Sequence, residues 1–330
     1  MGKQLASVPP PSAGLRATVL RPFLGGMMRL HRSMDRLVYG RTAQREETAF
    51  RALEPDAEHG PILSQADAPL LFKLLDHLDK KMGGVRPTEI RVGMLPACGV
   101  LDLGNGRNGR QILIIGLPCF QIWTVDELSA VVAHEMAHLK LLDAVFTREV
   151  VHICARLRES HPGRRPWGRF VGRWVGTMAA RVCRGMEFRA DRWSALCFRP
   201  ETLSRALEKL LVVEPIFQLV VANYDDEGVE DTVYDHFGRA WAGIDEEKFA
   251  DLRRKLIAKA EVNPLDPHPS LVDRLNRLAK SRQEAPPPSS ATAVRLLTNP
   301  EQLKKMLSNR LFGSKRSVTT SVFFPASQSD

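Results

Sequence analysis

The chain has 330 residues, of which 44% are hydrophobic and 26% are charged, as is typical of a globular protein with a substantial core. Its 47 basic and 38 acidic residues give a formal charge of +9. This excess fits an acidic partner, nucleic acid or an anionic membrane, or it serves solubility alone. Zinc-finger spacing, an RNP-like aromatic signature and a DNA-reading helix are all absent from the sequence, which disfavours nucleic acid.

The cysteines and the hydrophobic runs predict the compartment. Five cysteines are scattered without a C-x-x-C pair, which indicates a reducing compartment rather than a disulfide framework. Three prolines at positions 9–11 interrupt the start of the chain, and no uncharged apolar run reaches the 18 residues of a membrane span. We therefore expect a cytoplasmic protein with no signal peptide and no transmembrane helix.

Composition divides the chain into three parts. Residues 1–60 are an N-terminal extension that we expect to be partly disordered, and residues 61–282 form the main domain. Residues 283–330 are a Pro/Ser-rich linker and a C-terminal tail with one short helix near Glu301 to Leu311.

The main domain begins with a helix and a small sheet. A helix is predicted from Ser64, with leucines on one face, and Gly83-Gly84 ends it. Alternating apolar residues then follow from Ile90, and an isoleucine-rich run ends at Ile115. The Gly/Asn-rich residues 104–109 between them are a turn signal, so we predict two or three strands that include a hairpin.

A long buried helix is predicted from Thr124, because Thr124 and Glu127 have the spacing of a capping box. From there to about Lys280 the pattern is almost entirely helical. The predicted fold class is α+β, mainly α-helical, with a small antiparallel sheet beside the capped helix.

The capped helix carries the sequence His134-Glu135-Met136-Ala137-His138, which is an H-E-x-x-H pattern. Positions i and i+4 lie on one helix face, so both imidazoles can reach one metal ion, and Glu135 is placed to act as general base. The alternative is a buried helix with two hydrogen-bonded histidines.

A catalytic zinc takes three protein ligands and keeps a fourth position open. Glu187 and Asp191 lie one helical turn apart downstream, so one carboxylate can bind the metal while the other orients a ligating histidine. We assign Glu187 as the third ligand and Asp191 as the partner of His134. Two imidazoles and a carboxylate suit one Zn²⁺ per chain. The alternative is a solvated helix face paired with Arg189 and Arg192.

A third pattern is Asp266-Pro267-His268-Pro269-Ser270, with Arg274 beyond it. The two prolines present His268 rigidly, and His268 can donate to the oxyanion formed when water adds to a peptide carbonyl. A capping or surface histidine is the alternative.

Together these residues resemble the HtpX-like gluzincins related to the type I CAAX prenyl endopeptidase. The resemblance covers residues 65–280 and rests on three motifs: His134-Glu135-x-x-His138, Glu187-x-x-Ala190-Asp191, and His268-Pro269 with Arg274. It implies a zincin-like endopeptidase that acts on protein or peptide substrates, with Glu187 as third ligand and His268 near the transition state. Arg274 would support the oxyanion or the structure.

The sequence departs from that family in two respects. Cys98-Gly99-Val100 stands where members often carry an Asn-Ala-Phe-like segment that binds substrate, and the membrane spans of those proteins are missing. The chain therefore resembles a soluble branch. The alternative function is a catalytically weak or inactive member that acts as a protein- or membrane-binding module.

The segment 161–186 has six arginines, no acidic residue and three interleaved aromatic residues, Trp167, Phe170 and Trp174. One hypothesis is peripheral contact with an anionic membrane, with the aromatic side chains at the headgroup level. The other is an ordinary amphipathic helix with its aromatic side chains in the core.

Overall fold

The computed structural model describes residues 60–102, 110–141, 166–224, 230–260, 263–264, 266–281 and 290–313. For residues 166–175 and 313 it describes the backbone alone. The predicted class, mainly helical with a small sheet, is confirmed. The helices are α1 Pro69–Met82, α2 Leu117–Ile122, α3 Val125–Lys140, α4 Pro166–Cys197, α5 Pro200–Asn223, α6 Val233–Ala242, α7 Glu246–Lys259, α8 Leu271–Leu278 and α9 Pro300–Gly313.

The three strands are β1 Glu89–Gly93, β2 Cys98–Asp102 and β3 Gln111–Gly116, in the order β1-β3-β2. Strands β2 and β3 form the predicted antiparallel hairpin, but β1 runs parallel to β3. The prediction of a wholly antiparallel sheet is therefore wrong. The apolar strand β3 is buried along nearly its whole length, which suits the central position, and β1 and β2 then lie on opposite sides of it.

Helix α3 begins as the sequence predicts. The Thr124 hydroxyl accepts from the Glu127 amide at 3.2 Å, and the Glu127 carboxylate accepts from the Thr124 amide at 2.8 Å. Lys209 of α5 donates to the same carboxylate at 2.7 Å and to the Ile122 carbonyl at 3.0 Å. The start of α3 is therefore fixed by its own cap and by a cation from a distant helix.

Helix α1 begins later than predicted. Ser64 and Asp67 instead form a turn in which the Ser64 hydroxyl donates to the Asp67 carboxylate at 2.6 Å. Pro69 then opens the helix, a position that proline favours because its missing N–H is not needed there. The helix ends as predicted at Gly83, which adopts a φ of 80°.

Residues 290–313, assigned by sequence to the tail, pack against the same core. The Val125 amide donates to the Ala291 carbonyl and the Ala293 amide to the Trp123 carbonyl, each at 2.8 Å. Leu296 and Leu307 are buried in the main cluster of apolar side chains. The predicted helix near residue 301 is present as α9. The boundary at residue 60 stays a prediction, since residues 1–59 lie outside the described part.

One glycine permits a close approach at the end of the sheet. The Gly116 amide donates to the Ala97 carbonyl at 2.7 Å, and a Cβ on Gly116 would lie 1.8 Å from the Leu95 carbonyl oxygen. The backbone of the 95–97 segment occupies that space, so a side chain can be admitted only if the main chain moves.

We therefore expect Gly116→Ala to lower the free energy of unfolding by roughly 1–3 kcal/mol, the usual cost of overpacking. Urea denaturation followed by circular dichroism measures it. Gly99→Ala in β2 is the matched control, because a Cβ there meets nothing within 4 Å. Equal stability of the two variants would contradict the packing at Gly116.

Candidate metal centre

His134 and His138 of helix α3 direct their imidazole rings toward the same point. The Nε2 atoms of His134 and His138 lie 3.1 Å apart, as expected for residues one turn apart on a helix face. His134 is only 5% exposed, and Glu135 between them is half-buried. The H-E-x-x-H residues therefore lie in an enclosed part of the fold.

Helix α4 brings a carboxylate to the same point. Glu187 Oε2 lies 3.4 Å from His134 Nε2, and Glu187 Oε1 lies 3.3 Å from His138 Nε2. The two helices pack against each other, and both carry small buried side chains, among them Ala133, Ala137 and Ala190. The buried Ser194 hydroxyl donates to the Ala130 carbonyl at 2.6 Å and fixes how the helices align.

Asp191 lies behind the first histidine. Its Oδ1 is 2.9 Å from His134 Nδ1. Arg274 of α8 donates to the same carboxylate through two N–H groups, at 2.6 and 2.9 Å. Its Nη1 atom lies 3.5 Å from Glu187 Oε2. Asp191 is 4% exposed, so the alternative of a solvated carboxylate face does not hold.

The charges of this cluster shift the pKa values of its members. Burial works to raise the pKa of Glu187, but hydrogen bonds from His134 and His138 hold it well below its usual range. Burial works to lower the pKa of His134, yet the Asp191 and Glu187 carboxylates raise it above its ordinary value. Burial raises the pKa of Glu135, against the opposing effect of the two histidines.

The donor set fits zinc. A tetrahedral zinc with bonds of 2.0–2.1 Å has neighbouring ligand atoms about 3.3 Å apart. His134 Nε2 and His138 Nε2 are 3.1 Å apart, and each faces a different oxygen of Glu187, at 3.4 and 3.3 Å, so the two nitrogens have nearly this spacing and the carboxylate is within reach of the same ion. Within the described ranges, this is the one group of three or more metal-ligand side chains close enough to hold an ion.

Strand β2 passes beside this centre. The pKa of the Cys98 thiol lies well above its usual range, first because the thiol is buried and second because the Glu135 carboxylate is close. The strand that carries Cys98 lies at one side of the sheet and packs against helix α3. This is the strand on which the sequence showed a departure from the family pattern.

His268 lies apart from the ligands. Its side chain is 65% exposed, and its Nδ1 is 3.4 Å from Asp266 Oδ1. The contact with Asp266 raises the pKa of His268, the charge of Glu187 adds to this effect, and the charge of Arg274 opposes it. The structure thus brings the three candidate ligands, Asp191 and Arg274 together, with Glu135 between the two histidines, and places His268 on the loop before α8.

Sequence reasoning missed the position of Arg184, which it counted only within a basic run. Its guanidinium donates to the Asp266 carbonyl at 2.7 Å and to the Pro264 carbonyl at 3.4 Å. Because these partners lie 80 or more positions away, no local pattern could have revealed the contact.

The membrane hypothesis for 161–186 stays a prediction. Residues 161–165 and the side chains of Trp167, Phe170 and Trp174 lie outside the described part. Further along α4, Ala179, Val182, Cys183 and Met186 are buried. Among the described residues, no helix has the length and apolar character needed to cross a bilayer.

The model of peptidase family M48 matches residues 103–282. The protease HtpX homolog of Syntrophobacter fumaroxidans (strain DSM 10017 / MPOB) is 30% identical over 174 residues, which cover 45% of this chain and 61% of that protein. The crystal structure of S. mikatae Ste24p aligns with a TM-score of 0.38 and 14% identity, over 78% of this chain and 58% of that one. The family match extends over more than half of the sequence, and the chain belongs to peptidase family M48.

Proposed function

We propose that this chain is a zinc-dependent endopeptidase that hydrolyses peptide bonds in protein or peptide substrates. The observation that carries the proposal is the convergence of His134 Nε2, His138 Nε2 and the Glu187 carboxylate at separations of 3.1–3.4 Å. These three residues would hold one Zn²⁺, with Glu135 beside them as general base. Membership of family M48 supports the same function.

When bound, zinc supplies a Lewis acid that activates water and polarises the scissile carbonyl. Glu135 takes the proton of the attacking water and delivers it to the leaving amine. The raised pKa of Glu135 suits this double role, because a carboxylate with a pKa nearer neutrality both accepts and returns a proton.

Asp191 and Arg274 would orient the metal ligands. Asp191 accepts the Nδ1–H of His134, which fixes the tautomer that turns the Nε2 lone pair toward the metal. Arg274 in turn fixes Asp191 through its two N–H groups. We thus assign Arg274 to support of the centre, and His268 to donation toward the oxyanion at the reacting carbonyl.

The first test separates metal binding from catalysis. We expect about one zinc per parent chain by elemental analysis, loss of that zinc in Glu187→Ala, and retained zinc in Glu135→Gln because Glu135 is not a ligand. Hydrolysis of a quenched peptide should fall by roughly 10²–10⁴-fold in Glu135→Gln, the range for loss of a general base.

Zinc retained in Glu187→Ala at the parental level would overturn the ligand assignment. Exposed Glu201, at the start of α5, provides the control: Glu201→Ala should keep both the zinc and the turnover of the parent.

A second candidate is a catalytically weak or inactive family member that acts as a protein- or membrane-binding module. The observation in its favour is Cys98 on β2, the strand that packs against α3, where the resemblance leads one to expect an asparagine that binds the substrate backbone. Under this alternative, zinc binds as above but the parent and Glu135→Gln hydrolyse peptides equally slowly.

The support role of Arg274 predicts a loss of stability. In chelator-treated protein, Arg274→Met leaves the buried Asp191 without its guanidinium partner, so the free energy of unfolding should fall by about 3 kcal/mol. Urea denaturation in the presence of EDTA measures it.

Arg277→Met is the matched control, because Arg277 lies on the same helix, is exposed and stacks on the Phe188 ring at 3.7 Å. Loss of that stacking should cost less than about 1 kcal/mol. If Arg274→Met and Arg277→Met lower the free energy of unfolding by the same small amount, Arg274 does not stabilise the buried carboxylates of Asp191 and Glu187.

A further inference from the structure

The loop that carries His268 is tied to the helix that carries the third metal ligand. Arg184 of α4 donates to the backbone carbonyls of Pro264 and Asp266, at 3.4 and 2.7 Å. Arg184 and Glu187 are three positions apart and share one helix face. The loop is therefore anchored less than one helical turn from the ligand carboxylate.

Within the loop, Asp266 holds His268 at two atoms. The His268 backbone amide donates to Asp266 Oδ1 at 2.9 Å, and His268 Nδ1 lies 3.4 Å from the same oxygen. The ring thus faces, through Nδ1, a carboxylate two residues before it that also binds its backbone amide, while Pro267 and Pro269 restrict the backbone on either side.

This pairing decides what the other ring nitrogen can do. A carboxylate accepts only, so the Asp266 contact favours the tautomer with a hydrogen on His268 Nδ1, and in that neutral ring Nε2 has no proton to donate. Nε2 becomes a donor only in the imidazolium. The charged groups acting on the ring are Asp266 and Glu187, which favour the imidazolium, and Arg274, which opposes it.

We propose that Arg184 and Asp266 are positioning residues for His268: Arg184 fixes the loop against α4, and Asp266 selects the ring form that donates from Nε2 only when protonated. The inference rests on the proposed peptidase function. It predicts that activity is lost at alkaline pH as His268 deprotonates, and that the placement of His268 depends on a contact outside the metal centre.

The pairing itself can be tested without turnover. Asp266→Asn keeps an oxygen that accepts from the His268 amide but removes the charge, so the His268 pKa should fall toward the roughly 6.5 of an unperturbed imidazole. An NMR titration of the histidine ring protons measures this pKa, with the His268 signal identified by its loss in His268→Gln. An unchanged His268 pKa in Asp266→Asn would overturn the proposal.

Asp273→Asn is the matched control for that titration. Asp273 is an exposed carboxylate five residues further on, and it accepts from the Ser270 hydroxyl at 2.8 Å rather than from His268. Its replacement by the isosteric amide should leave the His268 pKa in place.

Turnover tests the use of the imidazolium. The alkaline limb of kcat/KM should move to lower pH in Asp266→Asn by the same amount as the NMR pKa, and this limb should be absent in His268→Gln. Arg184→Gln should lower kcat about tenfold or more while the limb stays at its parental pH, because displacement of an oriented group is costly. A limb that stays in place in Asp266→Asn, or parental kcat in Arg184→Gln, would overturn the proposal.

The peptidase function and the pairing of Asp266 with His268 can fail independently. If the zinc-loaded parent hydrolyses no peptide, the proposed function fails, and with it the catalytic use of His268. The NMR titration then still decides whether Asp266 controls the charge of His268.

Discussion

A buried carboxylate between an imidazole and a guanidinium organises this protein. Asp191 of α4 contacts His134 of α3 and Arg274 of α8, so three helices from separate parts of the chain meet at one set of charges. A buried charge is tolerated only when it is paired and hydrogen-bonded, and here each of the three groups requires the other two. Any shift of α8 or α4 relative to α3 would leave a charge buried without its partner.

The same pairing prepares the metal centre. Because Asp191 contacts His134 at Nδ1, the Nε2 atom is directed toward His138 and Glu187, and the three candidate donor groups lie 3.1–3.4 Å apart with one carboxylate oxygen facing each histidine. Lys209 and the capping box fix the start of α3 from the opposite end. The helix that carries both histidines is therefore held at its first turn and at its ligands, and little reorganisation is needed to bind a cation.

Around this rigid centre lie two features that bear on how a substrate would be handled. Cys98 lies on β2, the strand that packs against α3, and its thiol is a weaker hydrogen-bonding group than the asparagine amide of the family pattern. His268 contacts Asp266, and its loop is bound by Arg184. Under the proposed function, these two features would affect how a peptide is placed at the metal.

Local spacing in the sequence determined much of the protein: the capped helix with its two histidines, the hairpin of β2 and β3, and the end of α1 at Gly83. Each follows from contacts between residues a few positions apart, whose geometry the helix or turn itself fixes. The sequence also placed Glu187 and Asp191 one turn apart, but only the tertiary structure set them against the histidines. It likewise decided the parallel pairing of β1 with β3, the packing of residues 290–313, the 83-position link between Arg274 and Asp191 and the 82-position link between Arg184 and Asp266. Long-range partners are chosen by how whole elements bury their apolar faces and pair their charges, and sequence spacing does not encode that choice.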